Sequence, residues 1–178
     1  MPGAPAPADI VRAMSSGKSA RKSAPGKRPR RPGRKPVTFE GVTPVLRVRR
    51  LATSLRYFLE VLGFRKDWGG ADKGFASVSR GDCTIFLSQG DQGHFGTWVW
   101  VGVSDAAALH EEYRRRGAKI RHEPTNYGWA LEMQVEDLDG NVLRMGSEPL
   151  EGEDTGEWLD MEGRRWRMGA GGSWKRQR

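Results

Sequence analysis

Arg144 stands alone among apolar neighbours in Asp137-Leu138-Asp139-Gly140-Asn141-Val142-Leu143-Arg144-Met145. A guanidinium there can do one of two things. It can hold an anionic or carbonyl group of a ligand with its planar fork of donors, or it can neutralise a carboxylate. Glu132 is the carboxylate that would meet it, and Gln134 shares the Glu132 face of the preceding strand. Trp98 and Trp100 alternate with Val99 and Val101, which sets two indoles on one side of an extended segment. Paired indoles give stacking area to a flat molecule, or they fill an interface between modules or subunits. Phe86 carries the same two readings. Tyr127, Gly128 and Trp129 precede the last hairpin and read as a lip over a cleft or as a loop anchor.

Other chemistries are poorly supplied. His94, His110 and His122 share no strand face, so they do not form a metal triad. Cys83 follows the Arg80-Gly81-Asp82 turn and reads as a structural, half-buried residue. No Ser-His-Asp constellation is present. GDQGHFG is glycine-rich, but no helix follows to receive a phosphate. No cofactor is implied.

These side chains need a scaffold. PVLRVRR, from Pro44, reads as a strand, with Leu46 and Val48 on one face and Thr43, Val45 and Arg47 on the other. A helix is predicted over residues 53–62. Thr53 or Ser54 caps it, Leu55, Phe58, Leu59 and Leu62 form its stripe, and Gly63 ends it. FASVSRGD and CTIFLSQ follow as strands. The order then recurs: TWVWVGV is a strand, Ser104 or Asp105 caps a second helix, and Leu109 and Tyr113 mark its buried side. Glu111–Arg115 and Glu112–Arg116 pair on its wet side. AKIRHE leads to the hairpin of ALEMQVED and GNVLRMG. The predicted class is α+β: two tandem βαβββ modules whose curved sheets enclose a cleft, within one chain or with a second. Alternation sends Ile85, Leu87, Val99, Val101, Val103, Met133, Val135, Leu143 and Met145 under the helices. It leaves Thr84, Phe86, Ser88, Trp98, Trp100, Gly102, Glu132, Gln134 and Arg144 on the free faces.

The charge divides the chain in three. The 178 residues carry a formal +8, yet residues 1–36 hold ten Lys/Arg against Asp9 alone. Residues 37–150 come to −1 and residues 151–178 to zero, so the basic character belongs to the leader. Residues 1–36 are rich in Pro, Gly, Ala, Ser, Lys and Arg and have little to bury, which predicts a disordered tail. Three readings of it are open: a solvated tail, a weak polyanion contact through KRPRRPGRK, or an Arg- and Ser-rich transit peptide. It has no apolar stretch of the secretory kind. No run approaches the roughly 20 apolar residues of a membrane span. One cysteine allows no intrachain disulfide, so the cytoplasm is the expected compartment. Residues 37–150 are the expected domain. Residues 151–178 are an extension with Trp158, Trp166 and Trp174, expected to lie across the core with Trp158 as anchor and to be loose past Gly169.

Two such modules resemble the vicinal oxygen chelate superfamily, the glyoxalase, bleomycin-resistance and dioxygenase group. The residues that carry the resemblance are PVLRVRRLATSLRYFLEVLGF, SRGDCTIF, WVWVGVSDAAALHEEYRRRGAKI and YGWALEMQVEDLDGNVLRMGSE. Leu138 stands where the family usually has proline. The resemblance implies βαβββ modules and, commonly, a homodimer with clefts formed by paired modules. In metal-dependent members the ligand positions fall at Thr43, Trp98 and Arg144 of this sequence. Trp has no lone pair to give a metal and Arg repels one, so no metal is expected. The resemblance therefore points to the metal-less bleomycin-resistance branch, whose members bind large planar cationic glycopeptides between aromatics and carboxylates. SRGDCTIFLSQ is similar to the second-hairpin region of that branch. The implied function is sequestration of a planar, cationic, antibiotic-like small molecule without transforming it. The alternative is a divergent enzyme of the lyase, isomerase or dioxygenase type. The expected ligand contacts are Thr43, Phe86, Trp98, Trp100, Tyr127, Trp129, Glu132, Gln134 and Arg144.

Overall fold

The computed structural model describes residues 41–169 and 171–177. The expectation of disorder over residues 1–36 lies outside the described residues.

The first module begins with β1 (Val45–Arg47) and α1 (Leu51–Arg56), which continues as a π-turn over Tyr57–Val61. β2 (Arg65–Gly70), β3 (Phe75–Arg80) and β4 (Cys83–Ser88) complete it, in the spatial order β1-β4-β3-β2. The second module repeats the plan. β5 (Trp98–Gly102), α2 (Ala106–Arg115), β6 (Lys119–Tyr127), β7 (Ala130–Glu136) and β8 (Val142–Ser147) give the order β5-β8-β7-β6. In each sheet the first and last strands run parallel and the others antiparallel. The α+β class and the two βαβββ modules are as the sequence predicts.

The period-two alternation decides the layers. Leu46, Ile85 and Leu87 of the first sheet and Met133, Val135, Leu143 and Met145 of the second are buried together with Phe58, Leu62 and Tyr113 from the helical segments. The helix sides of both modules thus merge into one apolar core. Polar ties cross it. The Tyr113 hydroxyl donates to the Leu62 carbonyl at 3.1 Å, and Arg80 meets Glu112 at 2.7 Å. The Tyr57 hydroxyl donates to the Glu136 carbonyl and accepts from the Lys119 amide. Burial pushes the Tyr113 phenol up to about 12.

α1 differs from its expected start and cap. It begins at Leu51, and neither Thr53 nor Ser54 caps it. Its first turn is served from elsewhere in the chain. Gln89 accepts the Leu51 amide at 2.8 Å, while Asp139 takes the Arg49 amide at 2.8 Å and the Ser54 hydroxyl at 2.6 Å. α2 is capped as expected, with the Asp105 side chain accepting the Ala108 amide. Glu112–Arg116 forms, but Glu111 pairs with Arg114 in place of Arg115.

The 137–141 turn explains its own composition. Asp137 accepts the amides of Asp139 and Asn141 and the Asn141 side chain, each at 2.8 Å. Gly140 supplies a φ of +87°. The turn's side chains reach outward as well, with Asn141 donating to the Arg47 carbonyl at 3.0 Å.

The C-terminal extension is a short antiparallel meander of β9 (Trp158–Leu159), β10 (Arg165–Met168) and β11 (Trp174–Arg176), in the order β11-β10-β9. The expectation of a loose chain past Gly169 is corrected: β11 pairs with β10, Met168 opposite Trp174. One tryptophan per strand, every eighth residue, gives the meander an apolar side.

Candidate functional sites on two free faces

The free face of the second sheet is laid out in rows by strand register. Trp100, Arg144 and Gln134 form one row, and Trp98, Val142 and Glu136 a second. Gly102, Gly146 and Glu132 form the third. Trp98, Trp100, Gly102, Val142, Glu132, Gln134 and Arg144 share this face as the parity read from the sequence predicts. Trp100 lies over the two glycines. A Cβ at Gly146 would come within 3.0 Å of its indole, and one at Gly102 within 3.2 Å. Trp100 remains 44% exposed.

Arg144 pairs with Glu132 in a bidentate fork, Nε to Oε1 at 2.8 Å and a terminal nitrogen to Oε2 at 2.9 Å. Glu132 is buried, so the pair answers its desolvation with two charge-assisted bonds. Above Arg144 lies the Trp158 ring, 4.5 Å from the guanidinium carbon. The C-terminal meander covers this face. Trp158 is buried against Trp98 and Tyr127, with ring centroids 6.0 Å apart in each case. The Tyr127 hydroxyl donates to the Glu157 carbonyl at 2.8 Å and the Gln134 amide to the Leu159 carbonyl at 3.1 Å. Arg121 donates to the carbonyls of Asp160 and Met161. Burial, with the Glu132 charge adding to it, raises the Tyr127 phenol far above its ordinary range.

Tyr127 and Trp129 are therefore no mobile lip. Tyr127 ends β6 and is buried, its ring stacks on Trp129 at 4.8 Å, and Trp174 packs edge-on against both. The aromatic residues flanking a short turn are held by a segment some 45 positions further along.

The first module presents a different face. Trp68, Phe75 and Phe86 meet side by side, with centroids 5.3 to 5.9 Å apart, and Trp68 is 51% exposed. Beside Trp68, Asp67 accepts the hydroxyls of Ser79 at 2.7 Å and Ser77 at 3.0 Å. The Ser79 bond, aided by those of Ser77 and the Arg65 charge, holds its carboxyl below the usual range despite some desolvation. Arg47 and Arg49 turn to the ring of Phe95, at 5.1 and 4.7 Å.

The residues expected at one site thus fall into two groups. Trp98, Trp100, Tyr127, Trp129, Glu132, Gln134 and Arg144 gather on the second module. Phe86 belongs to the first, and Thr43 is exposed two residues before β1. Trp68, Phe75 and Asp67 were not among the expected contacts. β2 carries a bulge between Lys66 and Trp68, which breaks the alternation that would have revealed Asp67 and Trp68, whereas the regular alternation of β3 does place Phe75 on this face. Trp158 and Trp174 were expected on an arm but not against Arg144 and Trp129, and nothing in their spacing names those partners.

Two cavities flank these elements. One of about 490 Å³ lies beside Trp98, between Arg121 and the arm residues Leu159 and Met161. A larger one of about 690 Å³ lies away from both faces, between the β3–β4 turn and the start of α2, with the paired Arg80 and Glu112 on its wall.

The residues on the second face do not fit a metal. Both Glu132 oxygens are taken by Arg144, and the indole of Trp98 has no lone pair to offer. Among the described residues no three His, Cys, Asp or Glu side chains are grouped to hold one. No helix among them is long and apolar enough to cross a membrane.

The sequence matches the family model of the Glyoxalase/Bleomycin resistance protein/Dioxygenase superfamily over residues 42–145. The match ends before the C-terminal meander. Among solved structures, the chain is similar to the bleomycin-binding protein of bleomycin-producing Streptomyces verticillus, crystallised with copper(II)-bleomycin. Identity is 29%, with 62% of this chain and 98% of that one covered, at a TM-score of 0.54. A glyoxalase/bleomycin resistance protein/dioxygenase from Nocardioides shares the fold at 19% identity, with 69% and 92% covered and a TM-score of 0.51. TioX from Micromonospora sp. ML1 does so at 19% identity, with 63% and 100% covered and a TM-score of 0.52. No curated protein sequence matches significantly.

Proposed function

We propose a binding function for this chain, which belongs to the Glyoxalase/Bleomycin resistance protein/Dioxygenase superfamily: it sequesters a planar, cationic, antibiotic-like small molecule without transforming it. The observation that carries this reading is the open aromatic face of the first module. Trp68, Phe75 and Phe86 offer adjoining ring surface, and Asp67 beside them is kept ionised by two serine hydroxyls. Flat rings and a neighbouring carboxylate suit a flat cation, by stacking and by cation–π attraction. Trp100 is the second face's most accessible contact. The likeness to a bleomycin-binding protein supports the same ligand class. As in the resemblance read from the sequence, we further propose a homodimer, in which a second copy closes over the exposed rings of Trp68 and Phe95.

Calorimetry against copper(II)-bleomycin and a panel of flat cationic antibiotics tests the reading. Saturable binding at one site per chain, weakened at least about tenfold by Trp68→Ala, is the expected result. Binding that Trp68→Ala and Phe86→Ala leave unchanged would place the ligand elsewhere. Light scattering at micromolar concentration reads the assembly, and a monomer would remove the dimer from the proposal.

A further inference from the structure

The second face is spent on the chain's own arm, and the manner of the spending says what that face recognises. Donors from two neighbouring strands, the Tyr127 hydroxyl and Arg121 guanidinium of β6 and the Gln134 amide of β7, all go to backbone carbonyls. The carbonyls belong to Glu157, Leu159, Asp160 and Met161, almost in succession. Such contacts read an extended amide backbone rather than the side chains it carries. Between them one flat ring is read in detail, the Trp158 indole over Arg144 and against Trp98 and Tyr127.

The fit has gaps. The indole N–H groups of the half-buried Trp129 and Trp174 find no hydrogen-bond partner among the described residues. β9 has two residues and β11 three. Residues 150–155, which tether the meander to β8, are exposed. A segment with so few ladder bonds can open on its own.

We infer that the second module's free face is a binding site for an extended, amide-rich molecule bearing a flat aromatic group, and that residues 157–161 fill it as a tethered, displaceable occupant. This rests on the reading of the free faces as ligand surfaces and divides them by chemistry. The first face takes a flat cation. The second, with two guanidiniums toward the occupant, takes carbonyls and a neutral ring. A short tether holds its segment at an effective concentration of about millimolar. A free competitor is therefore disfavoured until the arm is weakened.

The test uses the full chain and a labelled peptide of residues 155–163, TGEWLDMEG, with capped ends. Fluorescence anisotropy should show the peptide binding the Trp158→Ala protein at least about tenfold more tightly than the unaltered protein. A peptide with alanine in place of Trp158 should bind that variant at least about tenfold more weakly. No binding to the variant, or equal affinity for both proteins, overturns the inference. Hydrogen exchange on the unaltered chain needs no variant. Amides of β9 and β10 should exchange at least about a hundredfold faster than those of β7. Equal rates would mean the arm opens only with the whole fold, which also overturns it. Neither readout involves Trp68 or a cationic ligand, so failure here leaves the first-face proposal standing, and the reverse holds too.

Discussion

The two modules share one plan and end with opposite surfaces. Each sheet buries its alternate residues under a helix, and each frees the other set. On the first module the freed set includes Phe75 and Phe86, half-buried beside the exposed Trp68. On the second it includes Arg144, Glu132 and Gln134, which are closed under Trp158 and its strand. A duplicated scaffold fixes where a face lies but not whether it is available. Availability depends on what the rest of the chain does, here a meander beyond the family match at residue 145.

The largest expected effect breaks the closed face from within. Arg144→Ala leaves the Glu132 carboxylate buried and unpaired, and should cost about 3–5 kcal/mol in denaturant unfolding. Replacing both partners, Arg144→Met with Glu132→Leu, should recover most of that loss. If the single variant is near neutral, the pair is not the anchor that the geometry makes it.

The next prediction sets an indole of one face against an indole of the other. Trp68→Ala should cost less than about 1 kcal/mol in stability yet weaken a flat cationic ligand at least about tenfold. Trp98→Ala, which removes a neighbour of Trp158, should cost about 2 kcal/mol in stability and change that ligand's affinity little. Interchanged outcomes would interchange the roles of the faces.

Acid should sharpen the contrast further. In the arm, burial alone would raise the Asp160 carboxyl, but hydrogen bonds from Trp166 and Arg164 outweigh it and bring it down to about 2. All of these bonds lie within the arm, so a carboxyl lower in the folded meander than in an unfolded one stabilises the meander above about pH 4, and that contribution is lost as pH falls toward about 2. Tryptophan emission should therefore report loosening of the arm in this window, and Asp160→Asn should flatten the pH response. The smallest effect belongs outside both modules. A chain beginning at Pro36 should melt within a few degrees of the full one, since residues 1–36 have little to bury.

Much of this architecture was legible because period-two alternation is a strong signal. Leu143, Arg144 and Met145 fixed the second sheet's two faces without reference to any partner. Asp137-Leu138-Asp139-Gly140-Asn141 announced a turn through its own chemistry. What stayed hidden was hidden for physical reasons. RKDWGG is charged and glycine-rich, and its bulge shifts Trp68 out of register. Strands of two to four residues, as in the arm, are too short to show a period. The choice between Arg144 gripping a ligand and Arg144 pairing Glu132 is one of geometry between strands, and no local pattern decides it.

Asp139 and Asn141 carry one more consequence, for the order of events at the ribosome. The first amide of α1 is taken by Gln89, just past β4, but Arg49 ahead of the helix and Ser54 within it are tied by Asp139, 85 to 90 residues further along. Arg47 waits on Asn141 across 94 positions. At about 5–20 residues per second of synthesis, the first module, which ends at Ser88, emerges roughly 3–11 s before the turn that completes it. Its helix thus lacks the Asp139 ties, and its core stays half covered, until the last hairpin arrives. The expectation is that nascent chains gain protease resistance in one late step, after residue 141 clears the exit tunnel. A separate early step at the length of the first module alone would show that it folds unaided.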